Sequence, residues 1–88
     1  MLKKEIIVAN PKGIHARPSA LIVQTAKQFK STITLIRDKQ CANARNVSDI
    51  LILNCPYGTK LQVQASGEDE REALEAIEKV FEQHFNEE

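Results

Sequence analysis

The sequence predicts an α+β domain. It reads as an open-faced sandwich of order β-α-β-β-α-β-α, a four-stranded antiparallel sheet with helices on one face. Three observations carry this. Apolar residues alternate with polar ones in the strand segments, as in sheets wetted on one side. Each helical segment carries a single apolar stripe. Finally, 88 residues suffice for one domain, 1–88, with one core between two layers.

The first strand is expected at Glu5–Ala9, with Ile6 and Val8 on one side and Ile7 on the other. Asn10, Pro11 and Gly13 then break it as turn formers. From Ala16 to about Lys30 the spacing of Ile22, Val23, Ala26 and Phe29 marks one helix face. "STITLIR" alternates as a strand, Asp38 and Lys39 make a tight connection, and "QCANA" pairs back as a weaker strand.

"NVSDILIL" reads two ways. Its β-branched residues favour a strand, whereas Val47, Ile50 and Leu51 at i, i+3, i+4, with Asn46 or Ser48 as a cap, favour a short helix. The helical reading is adopted, ending at Asn54, which tolerates a left-handed C-cap. "CPYGT" turns into the clearest strand, in which Leu61, Val63 and Ala65 alternate with Lys60, Gln62 and Gln64. The last helix is expected to be capped by Asp69, with Glu72 completing a capping-box-like pair. Glu68, Asp69, Glu70 and Glu72 place negative charge at its positive end, and Leu74, Ile77, Phe81 and Phe85 line its apolar face.

Charge narrows the function. Twelve basic residues balance twelve acidic ones, which argues against a general nucleic-acid binder. No apolar run approaches a membrane span, and the N-terminus lacks a signal-peptide pattern, so a cytoplasmic protein without membrane insertion is expected. Cys41 and Cys55 fit no metal spacing and are read as small, largely apolar residues rather than a disulfide. His84, in the expected last turn of the last helix, complements the dipole there; no metal site and no Cys–His nucleophile is expected.

The stretch "GIHARPSA", Gly13 to Ala20, has chemical content. A helix beginning near Ala16 puts His15 at its N-cap, where unpartnered backbone amides favour an anion. Pro18 suits the first turn, Gly13 lets the loop bend, and Arg17 adds a permanent positive charge. Imidazole is a nucleophile, and the same groups would stabilise a phosphohistidine. Each contribution is modest: about 0.3–2 kcal/mol from the helix end and about 1.5–3 kcal/mol from a charge-assisted hydrogen bond. A carrier needs modest values, because it must release what it binds. The plain alternative is a histidine that merely caps a helix, and spacing alone leaves both open.

"GIHARPSA", the position of His15, the element order and the "ASGEDEREAL" approach to the last helix together resemble the HPr family over nearly the whole chain. These are the histidine-containing phosphocarriers of the bacterial phosphoenolpyruvate-dependent sugar phosphotransferase system. The resemblance implies that His15 accepts a phosphoryl group on Nδ1 from phosphorylated enzyme I and passes it to a histidine of a IIA protein or domain. Arg17 would bind the phosphate, helped by the backbone amides of Ala16 and Arg17, with no cofactor or metal.

Partner docking is implied for the helix face that Ala16 shares with Ala20, Gln24 and Lys27, and for Val47, Ser48 and Leu51. Core packing is the competing role for Val47 and Leu51, and a solvated charge that for Lys27. Where many family members carry a regulatory serine this chain has Asn46, which has no hydroxyl to phosphorylate. Ser48 stands roughly 200° further round a helix, so kinase control at that position is expected to be absent. The segment leaves a sugar, nitrogen-regulatory or purely regulatory branch open. A regulatory HPr-fold protein acting by contact is the competing function; a monomer is the expected state.

Overall fold

A computed structural model describes residues 1–83, so the expectations for His84 and Phe85 lie outside the described residues. The elements are β1 (Leu2–Ile7), α1 (Ala16–Ala26), β2 (Thr32–Arg37), β3 (Gln40–Asn43), α2 (Val47–Leu53), β4 (Lys60–Ser66) and α3 (Glu70–Glu82). The strands form one sheet in the order β1-β4-β2-β3, every pairing antiparallel. The open-faced α+β sandwich is thus the fold.

The strand pattern explains the layering. Ile33, Leu35, Ala42, Leu61, Val63 and Ala65 are buried on the helix-covered face. Between them Lys60, Gln62 and Thr32 stay exposed. The helices close over the buried face with Ile22, Val23 and Ala26 from α1, Ile50 and Leu53 from α2, and Ala73, Ile77 and Phe81 from α3. Each buried Val, Leu, Ile or Phe among them contributes about 1.5–3 kcal/mol.

Several boundaries differ from expectation, each for a tertiary reason. β1 occupies Leu2–Ile7 rather than Glu5–Ala9, because β4 offers partners from Ala65 back to Lys60 and recruits the polar Lys3 and Lys4. Val8 remains buried and bonds to the Gly58–Thr59 turn, exchanging hydrogen bonds of 2.8 and 2.9 Å.

The first helix stops at Ala26, short of Lys30. Its end tightens into i→i−3 bonds, Gln28 N–H to the Thr25 carbonyl at 3.1 Å and Phe29 N–H to that of Ala26 at 3.3 Å. The next amides, of Lys30 and Ser31, are taken by the Asp69 carboxylate, both at 2.9 Å. That bond also corrects the expected capping box. Asp69 stands at the N-cap of α3 but makes no side-chain cap bond, its carboxylate being committed to Lys30 and Ser31. Glu70 instead reaches back to the Gly67 amide at 3.2 Å and to the N-terminal ammonium at 3.0 Å.

On α3, Ala73 takes the fully buried position and Leu74 is half-buried. The ambiguous "NVSDILIL" is a helix. The Asn46 side chain, not Ser48, accepts the Asp49 amide at 3.1 Å, and Asn54 closes the helix with φ 55°. Cys55 is buried, as a small apolar residue should be; Cys41 is exposed on β3, and both are free thiols.

Candidate functional site

The site grows from the loop between β1 and α1. Asn10 opens a tight turn, its carbonyl accepting the Gly13 amide at 3.0 Å while its side-chain amide donates to the Gly13 carbonyl. Gly13 has φ +69°, and a Cβ there would lie 2.6 Å from the Cys55 carbonyl oxygen and 2.7 Å from Pro56 Cα. Only glycine fits such a close approach of two backbones. Ile14 is buried, and its amide donates to the Cys55 carbonyl at 2.8 Å. The α2–β4 turn therefore forms the wall against which this loop is laid.

His15 follows as the N-cap of α1, extended at φ −100° and ψ −161°, half-buried, with no side-chain cap hydrogen bond. Its carbonyl is held twice, by the Ser19 amide at 3.0 Å and the Ser19 hydroxyl at 2.8 Å. Ser19 is fully buried, so the backbone of His15 is pinned to the first turn while its side chain is not spent on capping. Ala16 and Arg17 open the helix, so their amides have no intrahelical acceptor. Pro18 has none to offer and is buried. Two backbone donors and the helix dipole thus face the space ahead of α1, with the exposed Arg17 beside them. That arrangement suits an oxyanion carried by the imidazole.

Around it, Ala16, Gln24 and Lys27 are exposed and Ala20 is half-exposed on α1. α2 packs beside α1. There Ser48 is exposed and Leu51 is 42% exposed, whereas Val47 is half-buried and packs against the core. Val47 thus packs against the core while remaining partly exposed, and Leu51 lies at the surface. Two exposed apolar residues escaped the sequence reading, Ile52 at 77% and Tyr57 at 67%. Ile52 belongs to the same α2 run as Leu51, so a helical wheel drawn for that run was the available signal.

Also missed was Arg37. At the end of β2 its guanidinium donates to the Leu53 carbonyl at 3.2 Å and to the Asn54 carbonyl, supplying the cation that the last turn of α2 lacks. Burial pushes the Cys55 thiol up from its ordinary value, against a smaller opposing effect of Arg37. Nothing local in the sequence pairs residue 37 with residues 53 and 54. Among the described residues no group of three or more His, Cys, Asp or Glu side chains is placed to hold a metal, and no helix is long and apolar enough to cross a membrane.

A family model described as "PTS HPr component phosphorylation site" matches residues 2–83. The chain belongs to the HPr family. It is 42% identical over 88 residues to the phosphocarrier protein HPr of Treponema pallidum, covering 100% of both chains. It is 40% identical over 87 residues to that of Xylella fastidiosa, covering 99% of this chain and 98% of the relative. Its fold is similar to the crystal structure of HPr-C-His from Thermoanaerobacter tengcongensis, with a TM-score of 0.96 and 39% identity over 100% of this chain and 99% of that one. HPr membership accounts for the sandwich.

Proposed function

We propose that this HPr-family chain is a cytoplasmic, monomeric phosphoryl carrier, loaded on His15 Nδ1 by phosphorylated enzyme I and unloaded to a IIA protein or domain. The single observation that carries the reading is His15 at the N-cap of α1 with its side chain not engaged in capping. In the loading step the Nδ1 lone pair forms a bond to phosphorus. The donor's bond to phosphorus breaks, and its electron pair leaves with the donor.

The three phosphoryl oxygens that carry charge in the transition state then meet the Ala16 and Arg17 amides and the Arg17 guanidinium. Each of these groups stabilises the bound phosphoryl group only modestly, which leaves it transferable. Ala20, Gln24 and Lys27 on α1, with Ser48 and Leu51 on α2, form the docking rim. Val47 supports it from beneath.

The test is incubation with enzyme I and labelled phosphoenolpyruvate. The expected outcome is acid-labile, base-stable label on the wild-type protein and none on His15→Ala. An unlabelled wild-type protein, with several enzyme I proteins, refutes the carrier reading and leaves contact-type regulation by an HPr fold as the alternative.

A further inference from the structure

The His15 loop is tied to itself by the Asn10 side chain, which donates to the Gly13 carbonyl. What it rests on is the backbone of Cys55 and Pro56, through the Ile14 amide at 2.8 Å and the close seat of Gly13. Those two residues leave α2 by a left-handed residue, Asn54 at φ 55°. This exit carries the orphan carbonyls of a helix end. The last turn of α2 holds no basic residue. The cation arrives from another element: Arg37, the last residue of β2, clasps the carbonyls of both Leu53 and Asn54.

We propose that Arg37 is a positioning residue for His15. Its guanidinium fixes the exit of α2, the exit fixes the Cys55–Pro56 backbone, and that backbone sets the height at which Gly13 and Ile14 present His15 ahead of α1. The inference rests on the carrier reading for its kinetic consequence, while its structural consequence stands apart from it. The chain of contacts is short: two carbonyls, one peptide, one amide and the histidine. One guanidinium nitrogen, Nη1, reaches both successive carbonyls, and the planar group holds it in an orientation that the flexible stem and point charge of a lysine do not impose. Loss of the clasp leaves both carbonyls to water and frees the turn to shift. Displacement of a reacting atom by a fraction of an ångström slows a transfer step without weakening partner binding.

The experiment compares the full chain with Arg37→Gln, Arg37→Lys and Ile77→Val. The last is a mild core variant on α3, which supplies no group to the clasp, and it controls for lost stability. Phosphotransfer from enzyme I is measured at saturating and limiting carrier, beside amide exchange at Ile14 and the side-chain nitrogen resonances of His15. Arg37→Gln is expected to slow the maximal rate about tenfold with KM unchanged. It should also speed Ile14 exchange and move the His15 resonances. Arg37→Lys should fall between it and wild type, and Ile77→Val should transfer at the wild-type rate.

Ile14 exchange and His15 resonances unchanged in Arg37→Gln would overturn the proposal. So would a rate loss no greater than that of Ile77→Val, or one expressed wholly in KM. If the wild type takes no label, the carrier reading fails, and the exchange and resonance measurements still decide the role of Arg37.

Discussion

Replacing Gly13 by alanine should damage this protein in two separable ways, and the structure contains the control that separates them. Gly13 and Gly58 both lie in the left-handed region, at φ +69° and +87°. For any L-residue that conformation costs about 1–2 kcal/mol. At Gly58 a Cβ meets nothing within 4 Å, so Gly58→Ala bears that cost alone.

At Gly13 the new Cβ would sit 2.6 Å from the Cys55 oxygen and 2.7 Å from Pro56 Cα, both backbone atoms that cannot rotate away. The loop must then part from the α2–β4 turn, at a further cost of about 1–3 kcal/mol typical of overpacking. Gly13→Ala should therefore be about 2–5 kcal/mol less stable than wild type. Urea unfolding is the assay. Midpoints should fall in the order wild type, Gly58→Ala, Gly13→Ala, with a constant slope that certifies the same two-state transition. Equal midpoints for the two alanine variants would refute the argument that backbone crowding, and not φ alone, demands glycine at position 13.

Other outcomes follow from the same structure. Arg17→Ala should slow phosphotransfer roughly 10- to 100-fold, the equivalent of one charge-assisted hydrogen bond, yet leave the melting temperature nearly unchanged because the side chain is exposed; a collapse of folding would contradict its place in the site. Leu51→Asp should raise KM for a docking partner with little change in maximal rate, since Leu51 is 42% exposed and not part of the core. Asn46→Ala should cost about 1 kcal/mol, or roughly 4–8 °C in melting temperature, while Asn46→Ser should restore the cap; equal melting for all three would show that the Asp49 amide bond contributes nothing.

The Asp69 carboxyl is held below its ordinary value of 3.8, first by the Ser31 hydroxyl and then by the Lys30 amide. A group depressed in the folded state stabilises it at pH above that ordinary value, and the contribution is lost as pH falls further through the lower folded value. Asp69→Asn should thus lower stability at neutral pH and remove part of the acid-induced loss below 3.8; a variant whose acid limb parallels wild type would contradict it.

How much of this was readable from the chain differs from element to element. The alternation of Leu61, Val63 and Ala65, the turn chemistry of Asn10 to Gly13 and the helix start after His15 depend on residues within a turn or two of each other. Local propensity and periodicity therefore determined the strands, the outer two helices and the position of the histidine, while "NVSDILIL" fitted a strand or a helix. Asn46 and Asn54 as the two ends of α2 belong to the same class, because a cap reaches only three residues.

Tertiary structure decided the rest. Asp69 could cap its own helix or bond elsewhere, and packing brought it donors from 38 and 39 residues away, which ended α1 early and undid the capping box. Leu51 and Val47 share a helix stripe, and only the placement of α2 beside α1 turned one to solvent and the other to the core. Arg37 finds the end of α2 across 16 and 17 positions, and Gly13 is required by a backbone more than forty residues on. Short-range patterns set what each segment becomes. The destinations of long polar side chains, and the contacts that hold His15 in place, depend on which backbone groups remain unpaired once the layers have closed.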